Sequence, residues 1–221
     1  MKSSTKINFL IVLFFTVSIF NVNAQTANDS SLFNIEYDNL EEALKNPEEV
    51  FRLNLSDQNL TMLPDNIWDK FKNLQYLSLR NDHLKEIPSG IGSLKNLEVL
   101  DLSNNDFKIL PQSFSMLENL REIYLNEERN MDVEQSLDVI KDLPNLKIIH
   151  LENDNLESIP KNLLNFPQLE SLYLNNNRFK KIPINEIKEL KNLNFIDFHD
   201  NKFILNKSDL RNQESGIIIS F

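Results

Sequence analysis

Cysteine is absent from the 221 residues, and glycine occurs only three times, at Gly90, Gly92 and Gly216. The first absence removes disulfides, thiol nucleophiles, iron–sulfur clusters, cysteine zinc sites and a lipidated N-terminal cysteine together. The second removes phosphate-cradling loops, which need several glycines within about eight residues. Basic charge is also short: 23 Lys+Arg stand against 33 Asp+Glu, a formal net charge of −10, with a pI near 4.9. A nucleic acid requires a basic face to neutralise its phosphates, so no nucleic-acid partner is expected. The remaining composition, 41% hydrophobic and 25% charged, is that of an ordinary folded chain long enough for one domain with a sizeable core.

Long apolar runs are confined to the start. Lys2 and Lys6 introduce an apolar stretch from Ile7 to Phe20, and Asn21-Val22-Asn23-Ala24 follows it. Charged, then apolar, then small or polar is the order of a secretory signal, expected here over residues 1–24 with cleavage after Ala24. The stretch is shorter than the roughly 20 apolar residues a membrane span needs, so no stable membrane insertion is expected after cleavage. Cleavage would remove two lysines and no acid, taking the net charge from −10 to −12. Residues 25–37 read as a linker.

The dominant feature is an internal period. The pattern L-x-x-L-x-L recurs as Val50-Leu53-Leu55, Leu74-Leu77-Leu79, Leu97-Leu100-Leu102, Leu120-Ile123-Leu125, Leu146-Ile149-Leu151, Leu169-Leu172-Leu174 and Leu193-Ile196-Phe198. The starts at 50, 74, 97, 120, 146, 169 and 193 are spaced by 24, 23, 23, 26, 23 and 24 residues. Five repeats add an apolar-Pro pair, from Leu63-Pro64 to Ile182-Pro183, and many close on a Leu/Phe-x-Asn/Gln unit such as Leu94-Lys95-Asn96. Over residues 50–205 the chain resembles the leucine-rich repeat family in its roughly 23-residue L-P-x-x-I form, of the kind found in bacterial secreted proteins. The resemblance implies an α/β solenoid: a curved superhelix with a parallel sheet on the concave face and irregular or short helical segments on the convex side.

Each spacing has a physical cause. Within L-x-L the side chains alternate, so two apolar residues face inward from a short strand while their neighbours face out. An Asn nine residues into the repeat can bond free backbone groups where the chain leaves the strand. It is present as Asn105, Asn177 and Asn201 but replaced by Gln58, Asp82, Glu128 and Asp154, which predicts a partial ladder. Proline suits the irregular return segment because it cannot donate to a strand ladder. One repeat cannot stand alone, so the ends need caps. An N-terminal cap is expected over residues 38–49, where Asp38-Asn39-Leu40-Glu41 opens a short helix that Pro47 ends. A C-terminal cap is expected over 206–221, with helical turns within Ser208–Ser215 and an edge strand in Ile217-Ile218-Ile219-Ser220-Phe221.

Candidate chemistry is sparse. His150 and His199 lie two repeats apart, roughly 10 Å at about 4.8 Å per strand, too far to share a metal, so no metal or cofactor is expected. There is no G-x-S-x-G elbow, and catalysis is not expected. Of the 35 strand-face residues at repeat positions 2, 3, 5, 7 and 8, nine are acidic and four basic, a balance that favours a partner with a basic patch. Tyr124, His150 and Tyr173 occupy the same position in three consecutive repeats, and Tyr76 and Phe195 add aromatics nearby. With Glu98, Asp101, Glu122, Glu152 and Asp197 these form the candidate binding set; aromatics on a solvent face are typical hot spots, and equally good strand formers. Repeat four is 26 residues long and lacks the apolar-Pro pair, so its charged segment 126–132 is either a loop at the sheet edge or a length variant. The resemblance implies a non-catalytic secreted or periplasmic module that recognises protein, or alternatively an intracellular scaffold or regulatory subunit. An enzyme fragment of leucine-rich-repeat ubiquitin ligase type lacks its catalytic cysteine here.

Overall fold

The computed structural model describes residues 35–128, 130–203 and 216–221. The expected signal at 1–24, most of the expected linker and the expected helical turns at 208–215 lie outside the described residues. Nine short strands form one all-parallel sheet in chain order: β1 (Glu36–Tyr37), β2 (Arg52–Asn54), β3 (Tyr76–Ser78), β4 (Val99–Asp101), β5 (Glu122–Tyr124), β6 (Ile148–His150), β7 (Ser171–Tyr173), β8 (Phe195–Asp197) and β9 (Ile218–Ser220). The sheet does not close, and the architecture is an α/β solenoid. Registration is constant, so the middle residues Leu53, Leu77, Leu100, Ile123, Ile149, Leu172 and Ile196 make one fully buried row.

One boundary differs from the sequence reading. Glu36 and Tyr37, inside the span read as linker, pair with Arg52 and Leu53 as β1. The pairing is fixed by side chains as well as backbone, because Glu36 accepts from Arg52 at 2.9 Å and from Asn54 at 3.1 Å. After it comes α1 (Leu40–Ala43), whose N-cap Asn39 accepts from the Glu42 N–H at 3.0 Å. Ala43 is buried, and Leu40 and Leu44 pack on the core beneath the first repeat. At the far end Phe179, Phe198, Phe203 and Phe221 pack edge to face in series, at 5.1, 5.4 and 5.8 Å between centroids.

The return segments are 3-10 turns at Trp68–Lys70, Ser89–Ser93, Gln112–Met116 and Lys161–Asn165, and helices at α2 (Val133–Ile140) and α3 (Ile184–Glu189). Repeat four places its extra length in α2, on the return side, and not in a loop over the strand face. Asp132 caps α2 by accepting from the Gln135 N–H at 2.9 Å, and Ser136, Leu137, Val139 and Ile140 are buried. Trp68 is fully buried on the return side and donates from Nε1 to Pro64 O at 2.8 Å. Gly90 permits that packing, since a Cβ there would sit 1.9 Å from Asp65 O and 3.0 Å from Trp68 Cδ1.

Three amide or left-handed rows run along the solenoid. In the ninth-position row, Asn105 donates to Leu102 O and Leu79 O at 2.7 and 2.8 Å and accepts from the Leu84 N–H at 3.0 Å. Asn177 and Asn201 repeat this pattern. The closing Asn/Gln units form a second row: Asn73, Asn96, Asn119, Asn145, Gln168 and Asn192 each donate to a backbone carbonyl of the preceding repeat. The eighth position forms the third, with left-handed φ in all seven repeats: Asp57, Asn81, Asn104, Glu127, Asn153, Asn176 and Asp200. Asn and Asp tolerate that region because their short polar side chains bond locally; Glu127 alone lacks this advantage.

Candidate functional site

The outer face of the sheet carries one register row through its centre: Ser78, Asp101, Tyr124, His150, Tyr173, Asp197 and Ser220. Parallel pairing puts successive members about 5 Å apart, and the rings close that gap by stacking. Tyr124 and His150 lie 3.9 Å apart at 14°, and His150 and Tyr173 lie 4.2 Å apart at 6°. Phe195, one position over on β8, meets Tyr173 at 5.3 Å and 52°.

Stacking changes the standing of His150. Strand alternation places it on the solvent side, yet it is 7% exposed, because the two tyrosines cover both faces of its ring. Its edges are held as well: Nε2 lies 3.0 Å from Glu122 Oε1 and Nδ1 lies 3.3 Å from Glu152 Oε1. Tyr124 donates from its hydroxyl to the same Glu122 oxygen at 2.5 Å. Burial alone would favour a neutral imidazole, but hydrogen bonds and charge from Glu122 and Glu152 outweigh it and raise the His150 pKa. Glu122 moves the opposite way: burial opposes its charge, and the bonds from His150 and Tyr124 overcome it, lowering the pKa. Burial, then the bond to Glu122, raises the Tyr124 pKa, so it stays a neutral donor. Burial, with the charges of Glu122, Asp197 and Glu152, also raises that of Tyr173. The centre of the face is therefore an imidazole, its protonated form favoured by its neighbours, held between two tyrosine rings and two glutamate side chains.

The rest of the candidate set surrounds this cluster or stands apart from it. Asp101 flanks Tyr124 in the row and accepts from the Ser103 N–H at 2.9 Å. Asp197 flanks Tyr173 and lies 2.6 Å from His199 Nδ1. Tyr76 is two strands away, with Arg52 Cζ 4.0 Å from its ring centre. Glu98 pairs with Arg121 at 3.8 Å. Asn126 was not in the sequence-derived set; its carboxamide oxygen accepts from the Glu152 N–H at 3.0 Å and fixes the strand end that carries Glu152. The recurrence of Asn at 126 and 175, both two residues beyond the central row, is the signal that marks it. Among the described residues no group of three His, Asp or Glu is arranged to hold a metal ion. The surface offers stacked aromatic area inside an acidic rim.

Comparison with known proteins agrees with the fold. A family model described as a leucine-rich repeat region matches residues 50–136, and one described as a leucine-rich repeat matches 168–190. No curated protein matches in sequence. Among solved structures, a leucine-rich repeat protein of Leptospira interrogans is 26% identical with a TM-score of 0.55, covering 84% of this chain and 57% of that one. The Toll–Spatzle complex of Drosophila gives 20% identity and a TM-score of 0.63 over 75% of this chain and 22% of the other. Human 5T4, the trophoblast glycoprotein, gives 24% and 0.66 over 78% and 69%. The chain thus spans little more than half of the Leptospira protein and under a quarter of the matched Drosophila chain. Among the described residues no helix is long and apolar enough to cross a membrane. Seven in-phase repeats, a continuous parallel sheet and these matches agree: the chain belongs to the leucine-rich repeat proteins.

Proposed function

We propose that the protein is a non-catalytic binding module, secreted or periplasmic, that recognises a protein partner bearing a basic patch through the concave face of its sheet. The observation that carries this reading is the stacked Tyr124–His150–Tyr173 strip, extended by Phe195 and rimmed by Asp101, Glu122, Glu152 and Asp197. Large rings provide contact area at little entropic cost, and the acids steer a basic partner by long-range attraction. A protein partner is also what the Drosophila relative holds, as a complex of Toll with Spatzle. The charged-apolar-polar order of residues 1–24 supports export.

Two measurements test the reading. Mass spectrometry of protein from its native source should find a chain beginning at Gln25; a chain that keeps Met1 or Lys2 in the cytoplasm would favour an intracellular scaffold instead. For the surface, a partner captured from that source should bind Phe195→Ala with Tyr173→Ala at least about 30-fold more weakly, the loss of a roughly 2 kcal/mol hot spot. Lys161→Ala and Lys188→Ala, exposed on return segments, should bind like the parent. Loss in the lysine variants with retention in the aromatic ones would move the site to the convex side.

A further inference from the structure

Three of the ladder positions hold acids where their neighbours hold asparagine. Asp82 Oδ1 accepts from the Gln58 and Leu60 N–H groups at 2.8 and 3.3 Å, as Asn105 and Asn177 do in their own rungs. Asp154 Oδ1 accepts from the Glu128 N–H at 2.7 Å, and Glu128 Oε1 from the Asn105 N–H at 2.9 Å. One oxygen of each acid therefore does the work of the asparagine carbonyl. The other oxygens, Asp82 Oδ2, Glu128 Oε2 and Asp154 Oδ2, are buried without a hydrogen-bond partner. In the asparagine rungs the corresponding atom is Nδ2, a donor to the sixth-position carbonyl of its own repeat and of the one before. By repeat position the corresponding carbonyls are Leu79 O and Leu55 O for Asp82, and Leu125 O for both Glu128 and Asp154. No asparagine amide reaches the carbonyls of Leu55 or Leu125. A carboxylate oxygen facing a carbonyl is repelled, whereas a carboxylic acid donates to it.

We propose that Glu128 and Asp154 keep their protons in the folded protein at neutral pH and act as the donors of their rungs, making the turn ladder a pH-sensitive element that weakens as pH rises toward the values at which those protons leave. Burial and like charge favour the proton, against the backbone N–H groups that each acid accepts from, which favour the carboxylate. Burial is the largest influence on each acid and opposes ionisation. The charges bearing on Glu128 are Asp154, Asp106 and Asp101; those on Asp154 are Glu152 and Glu127; and that on Asp82 is Asp57. All are acidic. Glu128 is pushed up to about 9, Asp154 to about 8, and Asp82 upward. A raised carboxyl pKa in the folded state gives stability that is complete below the unfolded value, about 4, and is lost as pH climbs through the folded one. Glu128 and Asp154 sit in the repeats that carry Tyr124 and His150, so the alkaline change acts at the centre of the concave strip.

The test is thermal unfolding of the whole protein from pH 5 to 10, beside Asp154→Asn, Glu128→Gln and Asp82→Asn, with infrared spectra of the parent at pH 7. The carboxamides supply the donor without a proton to lose. The parent midpoint should fall steadily from about pH 5 to about pH 9 and level off beyond it, and Asp154→Asn should melt at least about 3 °C higher than the parent at pH 9 with a shallower fall over that range. The infrared spectrum at pH 7 should contain the band of un-ionised carboxylic acid, diminished in Asp154→Asn and Glu128→Gln. Three results would each overturn the proposal: no such band at pH 7, carboxamide variants that melt below the parent at pH 9, or a parent midpoint raised by calcium with no such rise in Glu128→Gln, which would put a cation where the protons are assigned.

Discussion

Glu122 and Glu128 belong to one repeat and lie six residues apart, yet the fold pushes their carboxyls in opposite directions. Both are withdrawn from water, and for both burial is the largest influence. Glu122, on the strand face, meets His150 and the Tyr124 hydroxyl. Glu128, in the turn ladder, meets a backbone N–H and, among the described residues, the charges of further acids. The difference teaches what a repeat protein does with charge. A solenoid stacks like positions on like positions about every 5 Å, so an acid in one repeat confronts whatever the next repeat holds there. On the strand face the confrontation is relieved by the His150 ring, which meets both acids; in the ladder, on the proposal above, it is relieved by protons.

That contrast can be attacked from both sides. The largest effect is expected where the ladder is intact: Asn105→Leu deletes three donated and two accepted bonds to backbone groups and should cost about 3–5 kcal/mol in denaturant melts, at roughly 1–3 for each group left unsatisfied and short of full additivity. His150→Ala comes next. It leaves Glu122 and Glu152 without their shared cation and should cost about 2–4 kcal/mol, somewhat less than breaking a fully buried pair because both acids keep partial access to water. The same cluster should be most stable in a middle window of pH. Glu122, with its lowered pKa, contributes above about 4.5 and loses that contribution as pH falls through its folded value. His150, with its raised pKa, contributes fully below about 6.5 and loses it as pH rises through its folded value. Comparing the pH profile of unfolding in His150→Ala with the parent should remove the neutral-to-alkaline part of this dependence and leave the ladder's. Tyr124→Phe keeps the stack but removes the bond to Glu122, a cost of about 1–2 kcal/mol. Lys161→Ala, exposed on a return segment, should stay within about 0.5 kcal/mol. If His150→Ala proved as mild as Lys161→Ala, the strip would be decoration on the sheet and not an ion cluster.

Most of the fold is legible in the leucines. Their phase puts Leu53 through Ile196 on one buried row, and the strands fall where L-x-L places them. Pattern alone could not reach the features that depend on neighbours across repeats. Alternation assigns His150 to the solvent side, and only the rings of Tyr124 and Tyr173 on adjacent strands bury it. Glu36 and Tyr37 carry no repeat of their own, so nothing in the period marks them as a strand; the bond from Arg52 does. The extra length of repeat four is charged at its start, which suggests a surface loop, but Asp132 caps a helix and Leu137, Val139 and Ile140 bury it. The eighth-position row was visible in principle, with Asn or Asp in six of seven repeats. At the ninth position the departures from asparagine predict only a partial ladder, yet the acids at 82, 128 and 154 accept the same backbone donors that asparagine does.

The most direct test of pairing, rather than burial, as the arbiter of charge is a carbon-13 titration of the side-chain carboxyls of Glu122 and Glu128 in one sample of folded protein. Glu122 should ionise below the usual glutamate value of 4.5, and Glu128 should remain protonated through neutrality and titrate near 9. In His150→Ala the Glu122 midpoint should rise while that of Glu128 stays in place. Two carboxyls titrating together, at either end of the scale, would contradict it.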